Sequence, residues 1–345
     1  MEIISFLISF LLSGLLSFSP LGLDRLTDEP QKFHEKPVPR VGGLAIFLAT
    51  FIGLYQFKIL TWKFPTSIAF LSGFIEDITR KLSEKIRFFI LILAALVAVF
   101  SLNVVIIDLK EFPVLSLLVQ FFPFAVLFTV IAIVGLANAF NIIDGLNGLS
   151  SGTALIVLAS IMYVSLEVGD YKIFLLSEIL FLSTLGFFLW NFPWGKIFLG
   201  DGGAYFLGFF IACLVILLNQ KHQLVSDWYP VAVAVYPIFE TLFSMIRRAC
   251  FLKTSPLKPD RYHLHSLLFL FLKRKVKDSL ANPFTSLILL IGQSIFVAVT
   301  SFYWKKTYIL LMVIAIFVVT YISAYAILLK ILKIDLRKNE TIKPN

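Results

Sequence analysis

Charged residues are scarce in this chain. Asp, Glu, Lys and Arg make up 15% of its 345 residues, whereas hydrophobic residues make up 59%. A soluble domain usually carries about 25% charged residues, so an ordinary soluble fold is excluded. Cysteine is also rare, because Cys213 and Cys250 are the only two, and their positions give neither a disulfide framework nor a zinc-binding spacing. The composition indicates a polytopic membrane protein.

The acidic residues are outnumbered by basic ones, and the formal net charge is +9. In a soluble protein this excess would suggest nucleic-acid binding. In a membrane protein, basic loops beside anionic headgroups explain it more simply. We therefore expect membrane lipid, and no nucleic acid, among the partners.

The first 22 residues are apolar, contain no Lys or Arg, and precede no convincing cleavage site, so we expect a retained first span rather than a signal peptide. Ten apolar stretches are long enough to span a bilayer, and an eleventh is short. They are 3–23, 41–60, the short 64–76, 86–107, 118–137, 150–168, 172–190, 202–219, 229–246, 284–304 and 307–332. The sequence predicts an all-α polytopic integral membrane protein with about 10–11 transmembrane helices. We expect one polytopic domain over 1–335 and a polar tail over 336–345.

The distribution of basic residues predicts an orientation. With eleven spans and the N-terminus outside, 23 of the 30 Lys and Arg fall in segments on the cytoplasmic side. Because cytoplasmic loops are enriched in Lys and Arg, this arrangement is favoured, and it also places the C-terminus in the cytoplasm. Five polar loops then face the cytosol together, as a site for a cytosolic substrate requires.

The segment 138–149, NAFNIIDGLNGL, is a dense polar island between two apolar stretches. Asn138, Asn141 and Asp144 recur every three residues, which places them within about 120° of one face of a helix or tight turn. Amide and carboxylate oxygens suit magnesium or the uracil and ribose of a nucleotide. The alternative, polar groups that only help helices to pack, explains three asparagines poorly.

Two adjacent acids, Glu76 and Asp77, end the short apolar stretch. Such groups can hold a hard cation, accept a proton or orient a cationic group. Neighbouring residues on a helix point about 100° apart, so the two acids are not expected to share one role. The alternative is a helix end with salt-bridge partners at Lys81, Lys85 and Arg87.

The segment 198–208, FLGDGGAYFLG, places Asp201 among glycines at the start of an apolar stretch. Backbone N–H groups at a helix N-terminus attract anions. We expect the glycines to leave room there for a pyrophosphate and its metal.

The first polar loop, 24–43, carries Lys32, His34 and Arg40, which are candidates for holding phosphate. An ordinary solvated loop anchored by its cations is the alternative.

The last polar loop carries Arg261, His263 and His265. Two His residues without a third ligand make a poor zinc site, so phosphate recognition by Arg and His fits better. The same role is open to Arg247 and Arg248, for which a patch touching lipid headgroups is the alternative. Together the loops offer oxygen ligands for a hard metal and cations for phosphate, which suits phosphoryl transfer between a soluble polyphosphate and a membrane-resident partner.

These five motifs, over residues 20–270, resemble the polyprenyl-phosphate N-acetylhexosamine-1-phosphate transferases of glycosyltransferase family 4. The resemblance implies a bacterial cytoplasmic (inner) membrane enzyme that transfers a sugar 1-phosphate from a UDP-N-acetylhexosamine to undecaprenyl phosphate. UMP would be released. This transfer would be the first membrane step of surface polysaccharide synthesis. It also implies dependence on Mg²⁺, with Mn²⁺ as a substitute, and leaves a homodimer open.

The resemblance also implies roles for individual residues. Asn141 and Asp201 match the metal-binding positions, and Asp201 is also a catalytic candidate. Asp77, with Glu76, matches the acidic pair that positions or deprotonates the lipid phosphate. Asp144 and Asn147 match the nucleotide-side loop; Asp144 is a further catalytic candidate, and Asn138 beside it is a candidate for substrate binding. The remaining matches are Arg261, His263 and His265 at the sugar and phosphates, and Lys32, His34 and Arg40 in the first loop.

Three positions depart from the common family pattern: Glu76 replaces Asp, Asn147 replaces a second acid, and Ser266 replaces a consecutive His. The last change favours transfer of a simple N-acetylhexosamine phosphate over the alternative, phospho-N-acetylmuramoyl-pentapeptide transfer. A transporter for a lipid-linked substrate would be expected to carry charges near the midplane and often a repeat, neither of which is visible. An inactive, scaffolding family member is a third reading.

Overall fold

The computed structural model describes residues 3–24, 37–252 and 260–334. Lys32, His34 and the tail 336–345 lie outside the described residues. The helices are α1 (Ile3–Leu16), α2 (Gly42–Gln56), α3 (Lys63–Thr79), α4 (Glu84–Leu102), α5 (Pro113–Val119), α6 (Phe122–Ile142), α7 (Leu149–Glu167), α8 (Tyr171–Asn191), α9 (Gly200–Lys221), α10 (Tyr229–Val233), α11 (Val235–Arg247), α12 (Leu264–Lys273), α13 (Asp278–Phe302) and α14 (Thr307–Leu332). Two short strands, β1 (Leu23–Asp24) and β2 (Val38–Pro39), pair antiparallel.

The predicted all-α polytopic class is confirmed. Every apolar stretch predicted from the sequence contains a helix, since only closed intrahelical hydrogen bonding satisfies the backbone of an apolar segment in lipid. Seven of the described helices are long and apolar enough to cross a membrane by length and composition. They are α4, α6, α7, α8, α9, α13 (from Leu280) and α14.

The prediction of one continuous span over 229–246 is wrong. The chain breaks between α10 and α11 at Ala234, whose backbone angles (φ −109°, ψ 26°) are not helical. Pro237 explains the break, because it has no N–H for the carbonyl of Val233 and its ring clashes with that carbonyl in a continuous helix. The predicted first span also ends early, since α1 stops at Leu16.

Helix α9 forms the centre of the molecule. Between Gly200 and Asn219 every residue except Asp201 is buried. The helix packs against α2, α3, α6, α7 and α8. Asp201 therefore lies at one end of the central helix, where loops from its neighbours can reach it.

Helix α1 distributes its side chains as expected of a lipid-facing helix, with small residues on the buried face and large apolar residues on the exposed face. Its buried face consists of small residues, Ser5, Ser9, Ser13 and Gly14, which pack close to α2 and α8. Its large apolar residues point outward instead, as Leu11 and Leu15 do with exposed fractions of 62% and 70%. This arrangement suits an environment of acyl chains rather than water.

Candidate functional site

Asp201, in the first turn of α9, is surrounded by side chains from three other elements. Its Oδ1 accepts hydrogen bonds from Arg40 Nη2 at 2.9 Å and Asn141 Nδ2 at 3.0 Å. Its Oδ2 accepts one from Arg87 Nη1. With Asp77, these residues are called the Asp201 cluster below. The sequence prediction that Arg40, Asp77, Asn141 and Asp201 meet at one site is thus supported by their contacts.

Local sequence places each of these groups. Ser83 Oγ accepts a hydrogen bond from the Ile86 N–H and caps α4, so Arg87 falls in the first turn of that helix. Arg40 follows β2, whose pairing with β1 fixes the chain just before α2. Asn141 lies in the last turn of α6. Three helix ends and a short strand pair therefore converge on Asp201.

Asp77 binds the start of α9. Its side chain is 2% exposed, and its two oxygens accept the backbone N–H groups of Asp201 and Gly202, each at 2.9 Å. These two N–H groups are therefore not open to a pyrophosphate, as the helix N-terminus had suggested, because a carboxylate of α3 caps them. The glycines serve packing instead: a Cβ on Gly203 would lie 2.7 Å from the Cα of Gly43 on α2.

Glu76 and Asp77 point to different places, as the helical geometry predicts. Glu76 Oε2 accepts a hydrogen bond from the Leu82 N–H at 2.6 Å and so closes the turn between α3 and α4. The proposed salt-bridge role for Arg87 beside this acidic pair is replaced by its contact with Asp201. Only Asp77 of the two acids belongs to the Asp201 cluster.

The Asp201 cluster has the donor chemistry for a hard divalent cation. The carboxylate of Asp201 and the side-chain amide of Asn141 are in direct contact, and an Asn amide can present either its oxygen or its nitrogen. Mg²⁺ prefers carboxylate and amide oxygens. These two residues therefore fit a metal, with Arg40 and Arg87 as the groups that now balance the carboxylate's charge.

The loop 143–148 lies between the Asp201 cluster and the two histidines, His263 and His265. Burial raises the pKa of Asp144 to about 8; Arg40 opposes the shift, and the carboxylates of Asp201 and Asp77 add to it. On the next residue, a Cβ at Gly145 would lie 2.7 Å from His265 Nε2. The loop thus has the Asp201 cluster on one side and the histidines on the other.

Other residues of this segment have structural partners. The Asn147 N–H donates to Asn282 Oδ1 at 3.0 Å, and Asn147 Nδ2 donates to the carbonyl of Pro193 at 3.3 Å. Gly148 adopts a left-handed conformation (φ 76°) that starts α7. Asn138 lies on α6 one turn before Asn141 and is half-buried. Among the described residues it has no hydrogen bond to the Asp201 cluster.

His263 and His265 lie side by side at the start of α12. Their ring centroids are 5.2 Å apart and the ring planes differ by 8°. Burial, with His263 close by, lowers the pKa of His265 to about 4, so this ring is neutral near pH 7. Arg261 lies half-buried in the segment that leads to them.

A buried acid missed by the sequence analysis accompanies these histidines. His263 Nδ1 lies 2.9 Å from Glu240 Oε1, and Glu240 is 0% exposed on α11. One ligand atom from each of Glu240, His263 and His265 lies within 4.8 Å of the others. The expectation that the two His residues have no third ligand is therefore wrong. The signal available in the sequence was a lone acid within an otherwise apolar stretch.

Arg247 and Arg248 do not form an open phosphate site. Arg247 Nη2 donates to both oxygens of Asp260, at 2.7 and 2.8 Å, and Arg248 Nε donates to Asp260 Oδ2 at 2.6 Å. Arg247 is 1% exposed and also binds the carbonyl of Tyr262. The expectation of a headgroup or phosphate patch at these two residues is therefore replaced by a buried ion-pair network that holds the segment before His263.

Comparison with known proteins identifies relatives over most of the chain. A family model described as glycosyl transferase family 4 matches residues 59–219. A probable undecaprenyl-phosphate N-acetylglucosaminyl 1-phosphate transferase of Bacillus subtilis is 38% identical over 255 residues, covering 71% of this chain and 70% of the relative. An undecaprenyl-phosphate alpha-N-acetylglucosaminyl 1-phosphate transferase of Thermotoga maritima is 33% identical, covering 75% and 78%.

More distant relatives carry a different name. A phospho-N-acetylmuramoyl-pentapeptide-transferase of Streptococcus uberis is 29% identical over 249 residues, covering 65% of this chain and 70% of the relative. The identity and coverage of the Bacillus and Thermotoga proteins are higher. The chain belongs to glycosyl transferase family 4.

Proposed function

We propose that this protein transfers a sugar 1-phosphate, in the first instance N-acetylglucosamine 1-phosphate, from its UDP-sugar to undecaprenyl phosphate. An oxygen of the lipid phosphate attacks the β-phosphorus of the UDP-sugar. The bond between that phosphorus and the oxygen bridging to the α-phosphate breaks, and UMP leaves. The names of the Bacillus and Thermotoga relatives support these substrates.

The Asp201 cluster is the observation that carries this proposal. Asp201 and Asn141 would hold Mg²⁺, which supplies charge neutralisation for the diphosphate and the leaving UMP. Asp201 would then exchange the guanidinium groups of Arg40 and Arg87 for the cation. Both arginines would become available to bind phosphate oxygens, for which guanidinium groups are well suited.

We assign Asp77 a positioning role. Both of its oxygens accept backbone N–H groups of α9, which fixes Asp201 in place. A general base at this position is not needed, because the second pKa of a phosphate monoester is about 6 and the acceptor is largely ionised at pH 7. His265, whose Nδ1 has no hydrogen-bond partner among the described residues, would hydrogen-bond to the sugar phosphate beyond the loop 143–148, with the His263 ring stacked beside it.

The site would face the cytoplasm, where UDP-sugars are made. The excess of Lys and Arg in the loops at this end of the molecule supports that orientation, with the N-terminus outside and the C-terminus inside. Undecaprenyl phosphate would reach the site from the bilayer of the bacterial inner membrane.

The test is an assay of purified protein in detergent with undecaprenyl phosphate, Mg²⁺ and UDP-N-acetylglucosamine, with UMP and the lipid product both measured. Asp201→Asn should reduce turnover by about a hundredfold or more, because it removes the anionic ligand. Asp108→Asn is the matched control: Asp108 is exposed and contacts Gln220 near the far end of α9, roughly 30 Å away. Its turnover should equal that of the unmodified protein. Absence of UMP release with every UDP-N-acetylhexosamine would refute the proposal.

A second candidate activity is phospho-N-acetylmuramoyl-pentapeptide transfer, which the name of the Streptococcus relative favours. The buried Ser266, where a third histidine is usual in that branch, argues for the simpler donor. Turnover of UDP-N-acetylmuramoyl-pentapeptide in preference to UDP-N-acetylglucosamine would reverse this choice.

A further inference from the structure

Glu240 lies at the centre of a buried hydrogen-bond network beside the proposed site. Its Oε1 accepts hydrogen bonds from His263 Nδ1 at 2.9 Å and from the Leu264 N–H at 3.4 Å. Its Oε2 accepts one from the Tyr321 hydroxyl on α14 at 2.8 Å. A fully buried carboxylate is costly unless its oxygens are bonded, and here each oxygen has a donor from a different element.

The contacts of His263 fix its tautomer. Arg248 Nη2 lies 3.3 Å from His263 Nε2, and a guanidinium group can only donate hydrogen bonds. In the neutral ring Nε2 must therefore accept, which leaves the proton on Nδ1, directed at Glu240 Oε1. Glu240 and Arg248 together determine both the tautomer and the orientation of the ring.

The orientation of the His263 ring constrains the orientation of the neighbouring His265 ring. The His265 ring lies nearly parallel to it at 5.2 Å, and Nε2 of His265 meets the loop 143–148 at Gly145. His265 Nδ1 is buried without a hydrogen-bond partner among the described residues. When the proton of the neutral ring is on this buried nitrogen, it can donate a hydrogen bond to a phosphate oxygen of a ligand next to the loop.

We propose that Glu240 is a positioning residue for the transfer reaction. Its carboxylate holds His263 as the Nδ1–H tautomer, and its bond to Tyr321 anchors the histidine pair to α14. The donor's sugar phosphate thereby meets an already ordered pair of imidazoles. This role rests on the proposed function, because it assumes that His265, stacked on His263, contacts the donor.

A transition-metal site is the competing explanation for the same three groups, since their ligand atoms lie within 4.8 Å of one another. The positive charge of Arg248 at His263 opposes a cation there. Both Glu240 oxygens and both His263 nitrogens already have protein partners. The hydrogen-bond network is therefore favoured.

The first experiment reads the tautomer directly. The chain contains four His, so protein labelled with ¹⁵N-histidine gives few imidazole signals, and a His263→Asn sample assigns the signal of interest. The unmodified protein should show His263 as the neutral Nδ1–H tautomer. An Nε2–H tautomer, a protonated ring or stoichiometric zinc in the purified protein would overturn the proposal. This measurement does not depend on turnover, so its outcome is separable from failure of the proposed function.

The second experiment compares Glu240→Gln with Tyr321→Phe. Glu240→Gln should lower kcat by about tenfold to a hundredfold and shift part of the His263 population toward Nε2–H. The neutral amide removes the charge that favours the proton on Nδ1 and leaves Arg248 as the remaining group that favours this tautomer. Tyr321→Phe keeps the carboxylate beside His263, so it should preserve the tautomer and lower kcat less. Near-native kcat in Glu240→Gln, or a loss of kcat with the tautomer unchanged, would contradict the positioning role. If Glu240→Gln fails to fold, the tautomer of His263 in the unmodified protein still decides whether the proposal stands.

Discussion

At the scale of single residues, one carboxylate organises the basic end of the last polar loop. Burial alone would raise the pKa of Asp260, but the charge of Arg247 and the hydrogen bonds from Arg247 and Arg248 outweigh it and bring this pKa to about 2. Asp260 is therefore ionised at every physiological pH. The network turns two arginines that the sequence offers as phosphate ligands into supports for the segment that carries His263.

Asp260→Asn should destabilise the protein in a pH-dependent way. At pH 7 the change leaves Arg247 buried with only a neutral partner, and breaking a buried pair costs about 3–5 kcal/mol. Because the pKa of Asp260 is lowered on folding, its contribution is fully present above its ordinary value of 3.8 and is lost as the pH falls toward about 2. Unfolding midpoints in detergent should therefore differ most at pH 5–7 and converge between pH 4 and 2. A difference that grows on acidification would contradict this account, and Asp108→Asn serves as the exposed control.

Residue types were predictable at the site, but partners were not. Asn141, Asp201 and Arg40 stand out because polar groups between apolar stretches need a reason to be there. Arg87, in contrast, looks like a salt-bridge partner for its neighbours Glu76 and Asp77, and its contact is with a residue 114 positions away. Glu240 and Asp260 were missed for the same reason, since their roles depend on which elements pack together.

At the scale of elements, the position of the site depends on how closely α2 approaches α9. A Cβ on Gly43 would lie 2.3 Å from the Cα of Gly203, so the two backbones touch where both residues lack side chains. Arg40 precedes Gly43 by three residues and Asp201 precedes Gly203 by two. The approach of the two helices thus sets the distance between Arg40 and Asp201.

Gly43→Ala should separate these helices and lower both stability and turnover. Overpacking of this kind costs about 1–3 kcal/mol, and a shift of 1 Å at a site of this type can cost about a hundredfold in rate. Gly135→Ala is a matched control on α6, because a Cβ there would have no atom within 4 Å among the described residues beyond the neighbouring backbone of its own helix. It should leave turnover unchanged and stability equal or slightly higher. Equal unfolding midpoints and rates for the two variants would show that the contact is not limiting.

Hydropathy was enough to locate the long helices but not to describe their interruptions. An apolar stretch predicts a helix because a single segment in lipid satisfies its own backbone only in that way, whereas α12 lies outside every predicted stretch. The break at Ala234 depends on one proline, Pro237, and a single residue changes the average hydropathy of a long apolar stretch little. The glycines around Asp201 were misread for a related reason: a glycine that serves packing and one that serves a phosphate have the same sequence signature.

At the scale of the whole molecule, the polar groups lie at one end of a helical body. Asp201 begins α9, and Gln220 near its other end contacts a different loop at Asp108. The histidines reach the same end as Asp201 through Gly145. The sequence prediction that separate loops converge is supported by these contacts, whereas the side of the membrane they face remains a prediction from the count of Lys and Arg.

The two cysteines allow that prediction to be tested without disturbing the site. Cys250 is exposed and follows Arg248 at the site end, whereas Cys213 is buried within α9. If the site faces the cytoplasm, a membrane-impermeant maleimide should label Cys250 in inside-out vesicles and not in sealed right-side-out vesicles. The control is Lys305→Cys in a Cys250→Ser background, because Lys305 is exposed between α13 and α14 and is predicted to lie outside. Its labelling should show the opposite pattern, and labelling of Cys250 from the outer face would invert the orientation and place the UDP-sugar site on the wrong side for a cytosolic donor.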